Sequence, residues 1–123
     1  MNLFEHLADS FRGKHPISIE RSPLWRGVRE DHLVLNPFCE VCGGETKLQV
    51  HHIKPFHVFP ELELDPDNLI TLCTYSSHRV NCHYVVGHLL GWQRWNPHVR
   101  EDCEMWKRRL VEAQELLDAY KNA

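Results

Sequence analysis

The most constraining feature of this sequence is the turn Cys39-Glu40-Val41-Cys42-Gly43-Gly44. Two thiolates separated by two residues can reach one tetrahedral ion, and glycine after the second lets the backbone fold back toward the sulfurs. Two further cysteines follow, Cys73 and Cys82, and four thiolates in two pairs predict a structural zinc site. Eight residues separate this second pair and include His78, which is the alternative fourth ligand.

A redox dithiol is the other interpretation of a single Cys-x-x-Cys pair. Such a motif opens a helix after a strand, whereas the order indicated here is helix, turn, strand. The first eleven residues contain Glu5 and Asp9 and lack the pattern of a secretory signal, so we expect a cytoplasmic chain. In a reducing compartment, five cysteines beside ten histidines point to metal binding rather than to disulfides.

Hydrophobic periodicity divides the central part of the chain into short elements. Apolar and polar residues alternate over 48–53, which predicts a strand, and Leu69 to Leu72 predict a second, short apolar strand. The residues between them, 54–67, contain three prolines and an acidic stretch, which indicate a long loop. Cys82 to Leu90 predict a helix that ends at Gly91.

Two helices are predicted before this central part. Residues 3–11 have helical apolar spacing and predict a short amphipathic packing helix. Ser22-Pro23 predicts an N-cap followed by proline at the first helical position, and Pro37 ends this second helix. Its apolar face would comprise Trp25, Val28, His32 and Leu35. Three arginines could contact phosphates or form a solvated basic face: Arg21, Arg26 and Arg29.

A last helix is predicted to open at Asn96-Pro97. Its apolar residues recur at alternating intervals of four and three, and they form one continuous stripe: Val99, Cys103, Trp106, Leu110, Ala113, Leu117 and Tyr120. This stripe accounts for Cys103 as a core residue, so the fifth cysteine is not needed as a metal ligand. We expect the whole stripe, including Trp106, to be buried.

A second polar cluster remains after the cysteines have been assigned. Adjacent histidines, His51 and His52, end the first predicted strand, Asn68 begins the second, and His83 lies at the start of the helix. Any one of these histidines alone is more often a surface or core residue. Together, in this order and next to the zinc-knuckle turn Cys39–Gly44 (the knuckle), they indicate a second functional site.

At this point the chain resembles the HNH endonucleases of the ββα-metal fold. The resemblance is carried by CEVCGG, LQVHHIKPF, LDPDNLITLC and CH, in that order, and covers about residues 21–103. It implies an α+β fold in which a hairpin-plus-helix core with a zinc knuckle is flanked by N-terminal helices and a long C-terminal helix. The spacing of Cys73 and Cys82 departs from the family, where two residues commonly separate the second pair.

The resemblance also implies residue roles in hydrolysis of a DNA phosphodiester. His51 and His83 would hold a catalytic divalent metal, Mg²⁺ or another ion such as Mn²⁺, and His52 would be the general base. Asn68 would hold the loop that carries this base. The structural site of Cys39, Cys42, Cys73 and Cys82 would hold Zn²⁺.

Three nearby side chains are further candidates. Lys54 follows the histidine pair directly and could contact phosphate or be solvated. His57 and His88 could contact substrate or metal. Because His88 follows His83 by five residues rather than four, the two are not expected to share a helix face.

The whole chain of 123 residues is expected to form a single nuclease domain, with a motif core at about 38–92 and helical flanks at 1–36 and 97–121. The net charge of −3 argues against binding of nucleic acid by bulk charge alone. No apolar run could span a membrane. DNA is the expected partner, and a protein partner or homodimer is left open. The alternative functions are a non-catalytic zinc-ribbon nucleic-acid-binding module and a nuclease toxin or effector domain.

Overall fold

The computed structural model describes residues 20–75 and 80–123, so the predicted helix over 3–11 and the alternative ligand His78 lie outside the described residues. The protein has an α+β fold. The described elements are helix α1 (Trp25–Leu35), strands β1 (Leu48–His52) and β2 (Leu69–Cys73), a π-helical turn (His83–Gly87, the π turn) and helix α2 (Val99–Lys121). Two short 3₁₀ turns, Pro60–Leu62 and Pro66–Asn68, lie in the loop between the strands.

The two strands form an antiparallel hairpin, as their patterns predicted. Leu48 pairs with Cys73 at one end, and His52 pairs with Leu69 at the other. All five residues of β2 are buried, whereas His51 is the one buried residue of β1. Because a two-stranded hairpin is only marginally stable alone, the neighbouring elements must cover it.

The core is small and is built around β2. Its buried members come from the knuckle, β2, the π turn and the start of α2: Cys39, Val41, Ile70, Leu72, Cys73, Cys82, Val86, Val99 and Cys103. Cys103 is 3% exposed, which confirms its prediction as a core residue. None of these side chains is aromatic, so apolar burial contributes little to holding the knuckle, and cross-linking of its thiols by a metal would contribute more.

Helix α1 begins two residues later than predicted, at Trp25 rather than at Pro23. The Ser22 hydroxyl oxygen accepts a hydrogen bond from the backbone N–H of Leu24 at 3.1 Å, so this serine folds the residues before the helix. The helix ends at Leu35, before Pro37, as predicted. Leu35 itself is 80% exposed and does not belong to a buried face.

Helix α2 begins at Val99, three residues after the predicted cap Asn96. The buried Asn96 side chain accepts a hydrogen bond from the His98 N–H and donates one to the Val86 carbonyl, so it joins the helix to the π turn. The prediction of a continuous buried stripe is wrong: Val99 and Cys103 are buried, but Trp106 is 48% and Tyr120 80% exposed. Only the beginning of the helix lies against the core. No helix in the described part of the chain is long and apolar enough to cross a membrane.

Candidate metal centres and active site

The four predicted cysteine ligands converge. Cys39 and Cys42 lie in the knuckle, Cys73 ends β2, and Cys82 precedes the π turn. Their sulfur atoms all lie within 4.8 Å of one another. Gly43 adopts a left-handed φ of 73°, which costs a glycine no steric strain, and its N–H donates to the Cys39 carbonyl at 2.9 Å. The knuckle therefore folds back on its sulfurs as predicted.

The pKa values of the thiols in this cluster differ widely. A hydrogen bond from the Cys82 thiol lowers the pKa of Cys39 to about 4, and the same hydrogen bond raises the pKa of Cys82. Burial raises the pKa of Cys73 to about 11. One thiolate is thus stabilised only while its neighbours keep their protons, since thiolates this close repel one another. A divalent cation offsets the repulsion between neighbouring thiolates, and four sulfur ligands suit Zn²⁺.

A second cluster brings together three histidines, His51, His83 and His88, whose ligand nitrogens also lie within 4.8 Å of one another. His83 Nε2 lies 3.0 Å from His51 Nδ1 and 3.2 Å from His88 Nε2. The family resemblance assigned His51 and His83 to one metal and left His88 as a candidate for substrate or metal contact, but the five-residue spacing predicted that His88 and His83 would not share a helix face. The structure corrects that expectation.

The π turn is the reason that His83 and His88 meet. The His88 N–H donates to the His83 carbonyl at 3.1 Å, so the hydrogen-bonded ring spans five residues instead of four. The wider turn aligns side chains five apart, which an α-helix would separate. The helix predicted over Cys82–Leu90 is consequently shorter: the turn ends at Gly87, and both Leu89 and Leu90 have left-handed φ angles.

Hydrogen bonds outside the cluster fix two of its tautomers. His83 Nδ1 donates to the side-chain oxygen of Gln49 at 2.8 Å, and His88 Nδ1 donates to the Arg94 carbonyl at 2.9 Å. When these imidazoles are neutral, each Nε2 therefore carries a lone pair. Two lone pairs face each other at 3.2 Å, and a cation between the rings would satisfy both. The donor set thus fits a divalent metal.

Two histidines of the cluster, His51 and His83, are held in their neutral form. Burial, followed by the neighbouring histidines, lowers the pKa of His51 to about 3. Burial, followed by His88, lowers the pKa of His83 to about 4. Desolvation and like charges therefore disfavour the imidazolium. Neutral imidazoles are the form that binds metals.

His52, the predicted base, lies on the other face of β1. Its Nε2 donates to the backbone carbonyl of Glu63 at 2.9 Å, and its ring packs against Trp25 with centroids 4.5 Å apart. Burial lowers the pKa of this imidazole, while the hydrogen bond to Glu63 opposes the shift. Because Nε2 carries the proton, Nδ1 is left as the acceptor.

Asn68 is buried and ties the long loop to the end of the hairpin. Its side-chain oxygen accepts from the Lys54 N–H at 2.8 Å, and its amide donates to the carbonyls of Lys54 and Leu62 at 3.1 and 3.2 Å. Glu63, whose carbonyl binds His52, follows Leu62 directly. The three hydrogen bonds of Asn68 therefore fix the backbone on both sides of the predicted base.

The remaining cationic candidates lie around this site. Arg21 pairs with the buried Glu63 carboxylate at 3.4 Å and lies over Phe56. Lys54 is exposed, with its ammonium 5.5 Å above the Phe59 ring. His57 belongs to neither of the two ligand groups found among residues 20–75 and 80–123.

Sequence reasoning missed the residues that orient the histidines. Gln49 lies two residues before His51 on the same face of β1, so strand alternation could have indicated it. Glu63 acts through its backbone carbonyl, for which no sequence signal exists. Trp92 packs against both His83 and His88, with ring centroids 5.3 and 5.0 Å away.

Comparison with known proteins agrees with this geometry. Residues 39–84 match the family model described as HNH endonuclease. No curated protein and no solved structure matches the chain significantly. The matched segment runs from the first knuckle cysteine through the hairpin to the π turn, and its architecture is consistent with the ββα-metal fold. Residues 39–84 are therefore similar to HNH endonucleases in sequence.

Proposed function

We propose that this protein is a metal-dependent DNA endonuclease that hydrolyses phosphodiester bonds. The observation that carries the proposal is the cluster of three imidazoles, His51, His83 and His88. The next residue of β1 supplies a fourth imidazole, His52, whose Nε2–H is bound by the Glu63 carbonyl. A purely structural zinc ribbon needs only its thiols. The second donor cluster therefore favours the enzyme over the non-catalytic binding module.

His52 is the general base of the proposed reaction. Its Nε2–H is engaged by the Glu63 carbonyl, so Nδ1 takes the proton of the attacking water. The lowered pKa keeps the imidazole neutral near pH 7, ready to accept that proton. The Glu63 carbonyl then stabilises the imidazolium that forms, while Trp25 and the Asn68-anchored loop hold the ring in place.

His51, His83 and His88 would hold the catalytic metal. A divalent ion bound there would neutralise charge on the leaving 3′-oxygen, so that the products carry 5′-phosphate and 3′-hydroxyl ends. Gln49 and the Arg94 carbonyl orient two of the three ligands through their Nδ1–H groups. Mg²⁺ remains a candidate, but three imidazoles suit Mn²⁺, Co²⁺ or Ni²⁺ better.

The structural metal is proposed to be Zn²⁺, bound by Cys39, Cys42, Cys73 and Cys82. We further propose that residues 1–123 act as one nuclease domain in the cytoplasm, with DNA as substrate. Delivery as a toxin or effector would use the same chemistry, and no observation in the described residues favours it.

The test is incubation of purified protein with supercoiled plasmid in Mg²⁺, Mn²⁺ or EDTA, followed by quantification of nicked and linear products. The parent should cut with metal and not with EDTA. His52→Ala should lose about 10²–10⁴-fold in rate while still binding Mn²⁺, because the three metal ligands remain. His51→Ala, His83→Ala and His88→Ala should weaken Mn²⁺ binding in calorimetric titration and regain some activity at high metal concentration.

His98→Ala is the matched control, since this exposed histidine lies outside both ligand groups of the described residues and should leave cleavage unchanged. Loss of Mn²⁺ binding in His52→Ala, with retention in His51→Ala, would reverse the two roles. Cleavage at the parent rate in all four site variants would place the nuclease site elsewhere.

A further inference from the structure

The loop that follows the π turn, residues 88–95 (the covering loop), places an aromatic side chain directly over the histidine cluster. The Trp92 ring lies 5.3 Å from the His83 ring and 5.0 Å from the His88 ring, and it also packs against Tyr84 at 4.8 Å. Trp92 is nevertheless 55% exposed. One side of the indole thus contacts the metal-binding rings, while much of the rest faces solvent.

The covering loop is held in a backbone conformation that is unusual for its sequence. Leu89 and Leu90 have φ angles of 50° and 64°, in the left-handed region that L residues other than glycine, asparagine and aspartate rarely adopt. The Tyr84 hydroxyl donates to the Leu90 carbonyl at 2.6 Å, and the Arg94 guanidinium donates to the Leu89 carbonyl at 2.8 Å. Strained backbone fixed in this way is characteristic of ligand-binding segments.

The same loop exposes apolar side chains rather than burying them. Leu90 is 60% exposed and Leu89 is 41% exposed, next to the half-exposed Trp92. If Trp92 served only to shield the ligand histidines from water, this ring and its neighbours would be expected to pack inward. A contiguous exposed apolar surface marks a binding site instead, and here it borders the metal-binding cluster.

We propose that Trp92 stacks on an unpaired nucleobase of the DNA substrate, next to the phosphodiester that is cleaved. This inference rests on the proposed nuclease function and names its substrate class. An indole offers a π-face to any base, so stacking is tolerant of sequence. A base inside a duplex has both faces covered, so the site selects single-stranded or locally unpaired DNA. Stacking also suits a chain whose net charge of −3 gives little bulk attraction to phosphates.

The experiment measures binding separately from cleavage. Each variant is made in the His52→Ala background, which leaves the DNA intact, and is loaded with saturating Mn²⁺. Fluorescence anisotropy then gives Kd for a labelled 12-nucleotide single strand and for the same sequence as a blunt duplex. The variants are Trp92→Ala, Trp92→Phe and the control Trp106→Ala, which removes an equally exposed tryptophan from α2.

Trp92→Ala should weaken single-strand binding about 5–150-fold and change duplex binding much less. Trp92→Phe should retain most of the affinity, because a phenyl ring still stacks, and Trp106→Ala should match the parent. Equal losses on both substrates, or a loss of Mn²⁺ affinity with normal DNA affinity once metal is saturating, would overturn the inference. Failure of the parent to cut or bind any DNA would instead refute the proposed function itself.

Discussion

Gly87, the last residue of the π turn, allows the turn to approach the hairpin and the rings of His51 and His83. A Cβ added at this position would lie 3.0 Å from Leu72 Cδ1, 3.2 Å from His83 Cδ2 and 3.4 Å from His51 Cε1. Carbon atoms prefer separations of about 3.5–4.0 Å, so the contacts with Leu72 and His83 would be too short, whereas the contact with His51 would be close to ordinary van der Waals distance. Leu72 is 0% exposed and cannot yield without disturbing β2.

Two opposing terms set the cost of Gly87→Ala. Alanine in place of glycine gains roughly 0.5–1 kcal/mol from the lower entropy of the unfolded chain. Overpacking of a filled core costs about 1–3 kcal/mol. The net expectation is a loss of about 0–2.5 kcal/mol in the free energy of unfolding. Displacement of the His83 ring should also weaken divalent-metal binding about 10–100-fold, the range seen when supporting residues around a metal are changed.

Urea unfolding followed by circular dichroism measures the first effect, and calorimetric titration with Mn²⁺ measures the second. Gly27→Ala is the matched control, because Gly27 lies within α1 and a Cβ there meets nothing within 4 Å. That variant should gain about 0.5–1 kcal/mol and bind Mn²⁺ normally. If Gly87→Ala proves as stable as Gly27→Ala and keeps full metal affinity, the close approach described here is not a constraint.

Three further predictions concern other parts of the molecule. Trp106→Ala should cost about 1 kcal/mol rather than the roughly 3–5 kcal/mol of a buried tryptophan, and a larger fall in the thermal midpoint would mean that the stripe on α2 is covered. Asn68→Ala should cost about 2–4 kcal/mol in urea unfolding, since three hydrogen bonds are lost, and a change under about 0.5 kcal/mol would refute their importance. Because the pKa values of His51 and His83 are lowered to about 3 and about 4, the metal-free protein should lose stability as pH falls below about 6.5, where the unfolded histidines bind protons first. Urea unfolding at pH 7.5 and at pH 5 would measure this loss, and equal stabilities at the two pH values would contradict the lowered pKa values.

The hairpin and the four-thiol cluster could be predicted because their signals are local. Alternation over Leu48–His52 and the apolar run Leu69–Cys73 each match one strand geometry. The knuckle follows from residue type and spacing over six positions. These features depend on local sequence and little on how the rest of the chain packs.

The π turn and the exposure of α2 could not be predicted in the same way. Helical periodicity assumes 3.6 residues per turn, so it separates His83 from His88, whereas the hydrogen bond from the His88 N–H to the His83 carbonyl closes a wider ring. On α2, the regular apolar spacing shows which residues share a face. It does not show what covers that face, and beyond Cys103 tertiary structure leaves it exposed.

Cys82 and His83 are consecutive residues, so one peptide bond joins the thiol cluster to the histidine cluster. An ion that fixes the Cys82 sulfur restricts the backbone from which the His83 ring projects. Occupancy of the two centres is then thermodynamically coupled. Such coupling is reciprocal, so each ion changes the binding affinity for the other ion by the same factor. If the proposed function holds, loss of the ion at the thiol cluster or oxidation of its thiols would therefore weaken metal binding at the histidine cluster without altering any histidine.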